Sequence, residues 1–356
     1  LSGSSAASDV YKRQIVDSSK IISNISHLKS LISSESKFMF IVKSNAYGHS
    51  LKEIVKNLES YVDAFGVVRM EEAILVRKAT SKPILLMQGI YTESEIKTAK
   101  ENNIQVVIHK MSQFELIGKN DSELGLWIKI NTGMNRLGLS QEELKLVYKK
   151  GIIGSDSVLM THMACGDDPD DPMNKMQINN FEKAFDLVER KTKRSICNSA
   201  CLINFPELSF DWVRSGIAAY GGEFKNLNLK TAMTFRAPII SIRNIRKGER
   251  VGYGGRKKAS EDMRIAIVYA GYADGIPQTT TDGTKVLVND RQAKIFGRVS
   301  MDLVSIDITN IPQVSENDLV SFWSEELPIN EFSNNNGLIS YELMTRISSR
   351  VKVKVI

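Results

Sequence analysis

The fold turns on one stretch, Phe38–Ser50, which reads FMFIVKSNAYGHS. Five apolar residues, Phe38 to Val42, run into Lys43, and a polar turn with Asn45, Gly48 and His49 then opens a helical pattern. A short continuous apolar run bounded by turn residues signals a strand buried on both faces. A lysine at the exit of such a strand loses part of its water, which disfavours the ammonium form and lowers its pKa. A neutral amine there can attack a carbonyl and form a Schiff base. The alternative is a lysine that merely snorkels to solvent at a strand end.

Working outward, the same unit repeats. Apolar runs at Lys37–Lys43, Ala64–Val68, Pro83–Gln88, Gln105–His109, Leu124–Ile130, Ser157–His162, Arg194–Asn198 and Asp211–Arg214 predict strands. Segments of helical period lie between them: Leu51–Glu59, Met70–Ala79, Glu93–Asn102, Ser112–Lys119, Gln141–Lys150 and Asn179–Lys191. Thr92 before Glu93–Glu95 and Ser140 before Gln141–Glu143 are helix-start signals. Leu202–Leu208, carrying Pro206, is a shorter connection. Eight strands alternating with helices predict an α/β fold, a parallel (β/α)₈ barrel. A doubly wound sheet would alternate too, but no G-x-G-x-x-G follows the first strand.

The pattern changes after about Thr231. Short runs at Pro238–Ile242, Ile265–Tyr269, Lys285–Val288, Ala293–Phe296 and Leu303–Ile308 are separated by Lys247-Gly248, Asp274-Gly275, Asp282-Gly283 and Asn289-Asp290. That spacing predicts a smaller, mostly β domain with a late helix in Leu338–Ser348 and a surface loop at Asn334–Gly337. The expected division is therefore a leader over 1–14, a barrel over 15–230 and a β domain over 231–356. The leader LSGSSAASDVYKRQ lacks an initiator methionine, and DVYKRQ resembles translated sequencing-adapter DNA. It is set aside, with the expectation that a first strand is lost at Gln14.

Composition bounds the function. The 356 residues are 42% hydrophobic and 25% charged, enough for a sizeable core. The excess of 47 basic over 41 acidic residues is spread along the chain, so it forms no nucleic-acid stripe. No apolar run approaches a membrane span. Cys165, Cys197 and Cys201 show no disulfide spacing, which suits a reducing, cytoplasmic compartment. No pairing with the four histidines predicts a zinc site, so no metal is expected.

In such a barrel, catalytic groups project from the C-terminal ends of the strands, and a phosphate site often follows strands seven and eight. Lys43, His162, Asn198-Ser199-Ala200 and Arg214-Ser215-Gly216-Ile217 end the first, sixth, seventh and eighth strands, and Arg136 follows the fifth. Each alone is an ordinary polar strand end; together at one face they point to a site. Ser199, with backbone N–H groups near Gly216 and Ile217, can cradle a phosphate, because small residues let the main chain approach.

The runs VKSNAYGHS, INTGMNRLG, VRSGIAAYG, VGYGG, GYADG and FGRVSMD resemble, in order, the motifs of the alanine racemase family. The resemblance covers about residues 20–352. It implies pyridoxal 5'-phosphate (PLP) on Lys43, with Tyr47 at the cofactor phosphate, and His162, Asn198, Ser199, Gly216 and Ile217 in the cofactor site. Arg214 would face the pyridine nitrogen, where a permanently charged guanidinium keeps that nitrogen unprotonated and disfavours transamination. Arg136 would lie near the ring hydroxyl and bind substrate, with Met301 contributing backbone at the substrate carboxylate. Lys129, in LWIKINTG, stands where many members carry a carbamylated lysine.

Tyr253, in VGYGG, would be the second acid–base group, reaching across a homodimer interface to face Lys43. A free tyrosine titrates near ~10, and the His162 and Arg214 positions could supply hydrogen bonds and positive charge to lower it. Asp167, Tyr272 and Arg298 would line the channel mouth. Ser349 stands where some members have a tyrosine that narrows the pocket. The implied activity is racemisation of alanine, supplying D-alanine for peptidoglycan. Racemisation of serine or of a broader set of amino acids on the same scaffold is the alternative. Further rivals are a non-catalytic PLP-binding barrel, which would not carry Tyr253, and a barrel-plus-β decarboxylase, against which Arg214 and VGYGG count.

Overall fold

The structure is a computed structural model that describes residues 11–118, 124–224 and 227–356. Residues 1–10 of the expected leader and Lys119, at the end of an expected helix, lie outside that set. The chain divides into two compact units: Ile22–Ala46 with Leu51–Ala219, and the residues up to Ile21 with Tyr47–Ser50 and Tyr220–Ile356.

Strand β1 (Arg13–Val16) belongs to the second unit. The first holds β2 (Lys37–Ile41), β3 (Ala64–Val67), β4 (Ile84–Leu86), β5 (Ile104–Ile108), β6 (Leu126–Lys129), β7 (Val158–Met160), β8 (Lys193–Ser195) and β9 (Trp212–Ser215). These pair in parallel in the order β8-β7-β6-β5-β4-β3-β2-β9. Each expected strand is found. Between β8 and β9 the ladder gives way to single bonds: Ser195 Oγ donates to the Trp212 carbonyl, and Arg214 N–H to Cys197. The sheet is thus a nearly closed barrel.

The apolar run behaves as read, since Phe38, Met39, Phe40 and Val42 are fully buried. The connecting helices bury one stripe each; Leu51–Leu58 buries Leu51, Ile54, Val55 and Leu58, the i, i+3, i+4, i+7 set. Thr92 and Ser140 accept from the backbone of Glu95 and Glu143, closing two capping boxes. The helix expected from Asn179 begins earlier, at Pro172, where Asp171 caps it through Met173 N–H. Its first turns carry buried Asn174 and Gln177 in place of apolar residues, which hid them from a hydrophobic-period reading.

The second unit is a mostly antiparallel sheet. It is built from β1, β10 (Met233–Ile245), a short hairpin of β11 (Arg250–Val251) and β12 (Lys257–Lys258), β13 (Met263–Val268), β14 (Lys285–Val288), β15 (Arg291–Ile295), β16 (Val304–Asp307), β17 (Leu319–Trp323) and β18 (Lys352–Val355). Strand β1 lies between β10, antiparallel, and β18, parallel. The expectation of a strand lost at Gln14 is therefore corrected: Arg13 and Gln14 are both laddered. Backbone pairing on both sides holds a strand whatever its side chains say about ancestry. Asn334 and Asn335 are not loop residues either; they end the helix Ile329–Asn335. Asn336 Oδ1 accepts from Thr281 N–H and Oγ1, at 2.7 Å each. The late helix is Ser340–Arg346. Among the described residues no helix is long and apolar enough to cross a membrane.

Candidate active site

Pairing of β2 with its neighbour persists through Val42, whose N–H donates to Gly66. At Lys43 the backbone changes hand. Ser44, Asn45 and Ala46 all have φ near +54° with ψ of 54°, 45° and 52°, and Tyr47 has φ of 51°. This is one turn of left-handed helix, a conformation that costs a side-chain-bearing residue about 1–2 kcal/mol. Within the barrel unit two side chains brace it. One Glu72 carboxylate oxygen accepts from Ser44 N–H at 2.7 Å, and Asn45 Oδ1 accepts from Leu51 N–H at 2.8 Å, where the next helix starts. Loss of water lowers the Lys43 pKa, Arg136 lowers it further, and Glu72 opposes them.

Lys129 ends β6, buried, and burial with the charges of Arg214, Arg136 and Lys43 brings its pKa down to about 8. Arg136 sits in the compact loop Asn131–Leu139. There Leu139 N–H donates to Lys129, Asn131 N–H donates to Leu139, and Asn131 Oδ1 accepts from Gly133 and Asn135. Gly138 closes that loop at φ +133°; a Cβ would lie 2.4 Å from Asn131 N.

Arg214, on β9, is buried without a carboxylate in its bonding set. It donates to Ser195 Oγ and to the carbonyls of Thr161, at 2.7 Å, and Ile196. Burial lowers its pKa only to about 10, so it stays charged at neutral pH. His162, just beyond β7, behaves otherwise. Burial, then Arg214, Lys129, Arg136 and Lys43, push its pKa well below the ordinary imidazole value, so it is neutral. Of the two positions expected to give hydrogen bonds and positive charge, His162 is left with hydrogen bonds and Arg214 carries the charge.

Ser199 Oγ accepts from Gly216 N–H at 3.0 Å and lies 3.0 Å from Ser215 Oγ, with Ile217 buried next in sequence. Asn198 caps the short helix Ser199–Asn204 through Cys201 N–H, donates to the Met163 carbonyl, and places its Nδ2 3.4 Å from His162 Nε2. Cys197 and Cys201 are buried, as expected of small apolar residues.

Sequence reading missed the groups behind these. Gln177 Nε2 donates to Thr132 Oγ1 and the His162 carbonyl, while its Oε1 accepts from Ala164 N–H. Thr132 and Thr161 hydroxyls are 2.8 Å apart. A glutamine one turn before Phe181, on the stripe that Phe181, Ala184 and Phe185 continue, was the available signal. Asp167 is exposed in this unit.

In the β unit, Tyr47 packs with ring centroids 5.0 Å from Tyr220 and 6.0 Å from Tyr341. Burial and Tyr341 push its phenol up, which keeps Tyr47 a neutral donor. The tyrosine beside Tyr47 is thus Tyr341, eight residues before Ser349, which is an exposed turn residue. Tyr253 stands between Gly252, φ +71°, and Gly254, φ +70°, and is 72% exposed. With Tyr272, Gln278, Arg298, Met301 and Leu303 it lines an open cleft of about 530 Å³.

Both parts of the chain match known families: "Alanine racemase, N-terminal domain" over residues 16–223 and "Alanine racemase, C-terminal domain" over 232–355. The alanine racemase of Vesicomyosocius okutanii is 40% identical over 327 residues, covering 90% of this chain and 92% of that protein. Among solved structures, the alanine racemase of Acinetobacter baumannii superposes with a TM-score of 0.92 at 35% identity, covering 97% and 99% of the two chains. That of Bartonella henselae, described with covalently bound pyridoxal phosphate, gives 0.89 at 25% identity, covering 97% and 99%. The family is PLP-dependent. A nearly closed parallel barrel, an antiparallel β unit and two matched domains lead to one assignment: the chain belongs to the alanine racemase family of isomerases.

Proposed function

We propose that the chain interconverts L- and D-alanine with PLP, as a homodimer with shared active sites, and so supplies D-alanine for peptidoglycan. The residues of the barrel unit fit such a cofactor. Lys43, Lys129, Arg136 and Arg214 depress one another or the neighbouring His162, and charges so crowded suit a ligand bearing a phosphate and a ring oxyanion. Lys43 would hold the cofactor through its amine. Ser199, Gly216 and Ile217, with Tyr47 as a neutral donor, would hold its phosphate, with Asn198 setting that segment. Arg214 would face the ring nitrogen, and Arg136 the ring oxygen and substrate. When bound, PLP supplies the electron withdrawal that makes the α-hydrogen of an amino acid acidic.

The remaining steps belong to the protein. A Lys43 amine held below its ordinary pKa accepts or returns a proton at Nζ on the D side. Tyr253 of the partner subunit would do the same at Oη on the L side, with Met301 beside it; loss on one face and return on the other inverts the centre. His162, neutral, orients groups by hydrogen bonds alone. Asp167, Tyr272 and Arg298 would form the channel mouth. Lys129, at about 8, has enough neutral amine near neutral pH to take up carbon dioxide as a carbamate beside Arg136. The carrying observation is the depressed Lys43 amine at the exit of β2, in a chain matched across both family domains.

The test is D/L interconversion across a panel of amino acids with PLP added. Alanine should turn over fastest. Preference for serine would favour the alternative racemase, and no turnover of any amino acid would sink the proposal.

A further inference from the structure

We propose that Glu72 is a positioning residue for Lys43, its carboxylate tying the peptide after the lysine to the exit of the neighbouring strand. The proposal rests on the reading of Lys43 given above. Glu72 lies in the first turn of the helix Met70–Arg77. One carboxylate oxygen accepts from Val68 N–H at 3.2 Å and Arg69 N–H at 3.3 Å, where the chain leaves β3. The other reaches across to Ser44 N–H at 2.7 Å, where it leaves β2. A carboxylate that only capped its own helix would need just the first oxygen. The second fixes the peptide plane between Lys43 and Ser44 at the point where the backbone turns left-handed, and so fixes where the lysine side chain starts.

The same carboxylate sets the charge around the lysine. Among the groups that bear on Lys43 are Arg136 from the loop after β6 and Glu72 from its helix, and Lys43 in turn acts on Lys129 and His162. Arg136 disfavours the ammonium and Glu72 favours it. Without Glu72, one opposing charge to loss of water and Arg136 is gone.

Two variants of the full chain, stripped of carbonyl ligands with hydroxylamine, separate the tie from the charge. In Glu72→Gln one acceptor oxygen remains, and the helix-start amides, nearer in sequence, keep it. Ser44 N–H exchange should become about tenfold faster, the loss of one charge-assisted bond. Reductive methylation of Lys43 by formaldehyde and cyanoborohydride, followed by peptide mass spectrometry, needs the neutral amine. Its pH midpoint should move down, so that at a pH below the midpoint Lys43 reacts about 3- to 10-fold faster. Glu72→Asp keeps the charge and loses the reach, so Ser44 exchange should rise while the Lys43 midpoint stays near that of the original chain.

Unchanged Ser44 exchange and an unchanged Lys43 midpoint in Glu72→Gln would overturn the proposal and leave Glu72 a helix cap. Should Glu72→Gln not fold, Glu72→Asp decides by the Ser44 exchange alone: faster supports the tie, unchanged overturns it. Borohydride reduction of the PLP-loaded chain keeps the two readings apart. A pyridoxyl group mapped to another lysine would topple the cofactor assignment while the Glu72 coupling stood. A group on Lys43 with inert Glu72 variants would topple the coupling alone.

Discussion

The two units hold their candidate site residues in opposite ways. In the barrel unit Arg214, Ser199 and Lys129 are buried, and the segments of Lys43, Arg136 and His162 are bonded to their own chain through Glu72, Asn131 and Gln177. In the β unit Tyr253 is 72% exposed, Met301 52% and Tyr272 37%, around an open cleft. Charged groups tolerate burial only with fixed partners, so the barrel half is organised by its own chain. Apolar and aromatic residues gathered on an open face are organised by whatever covers them. The proposed dimer would pair one finished half with one uncovered half.

The largest effect should come from breaking both halves separately. If the proposed dimer and its two proton-transfer groups hold, Lys43→Ala and Tyr253→Phe should each lose about a thousandfold or more in activity. Mixed under conditions that exchange subunits, they should regain activity, because one pocket per hybrid has an intact Lys43 and an intact Tyr253. Exchange without recovery would place Tyr253 in its own chain's site or outside the reaction.

Next comes stability. Arg214→Ala removes a buried side chain and leaves Thr161 and Ser195 without their donor, and should cost roughly 3 kcal/mol in urea unfolding. Tyr253→Phe should cost less than about 0.5 kcal/mol when dissociated. Equal losses would erase the contrast between the halves.

The crowding of cations has a pH signature. Lys129 titrates at about 8 folded, against an ordinary 10.5, so the unfolded chain holds its proton more tightly. The penalty is full below about pH 8 and is relieved as pH rises from there toward about 10.5. In carbon-dioxide-free buffer, Lys129→Gln should therefore stabilise the chain at pH 7 by roughly 1–3 kcal/mol and flatten its stability between those pH values. A pH slope identical in variant and original would show that Lys129 carries no such penalty.

The smallest change tests the left-handed turn. Ser44 is exposed, with φ of 54°. Ser44→Gly should relieve its strain at some entropic cost, for a net gain of about 0.5 kcal/mol. A loss in urea unfolding would mean that the hydroxyl contributes more than the strain costs.

The strands were legible because each barrel strand is a dense apolar run, and the chemistry was legible because polar residues interrupt those runs at their ends. The left-handed turn was not, since Ser44, Asn45 and Ala46 carry no glycine to announce a positive φ; only Gly48 did. Glu72 and Gln177 were hidden for another reason. They act on main-chain groups far off in sequence, and one looks like an ordinary helix-start acid, the other like a helix polar residue. Strands β17 and β18 were passed over: β17 despite the Asn317-Asp318 turn pair before it, and β18 because its alternating lysine and valine buries little and suits an unstructured tail equally well.

One feature of the sheet bears on how the protein is made. Strand β1 is laddered to β18, so the sheet's first and last strands in sequence are neighbours. Most of the described chain lies between them in sequence. The barrel's β2 to β9 are all present once the chain has passed Ser215, and can pair while synthesis continues. Strand β1 has both flanks bare until β10 follows and one until β18 does, so unpaired strand edges need protection from other nascent chains in the meantime.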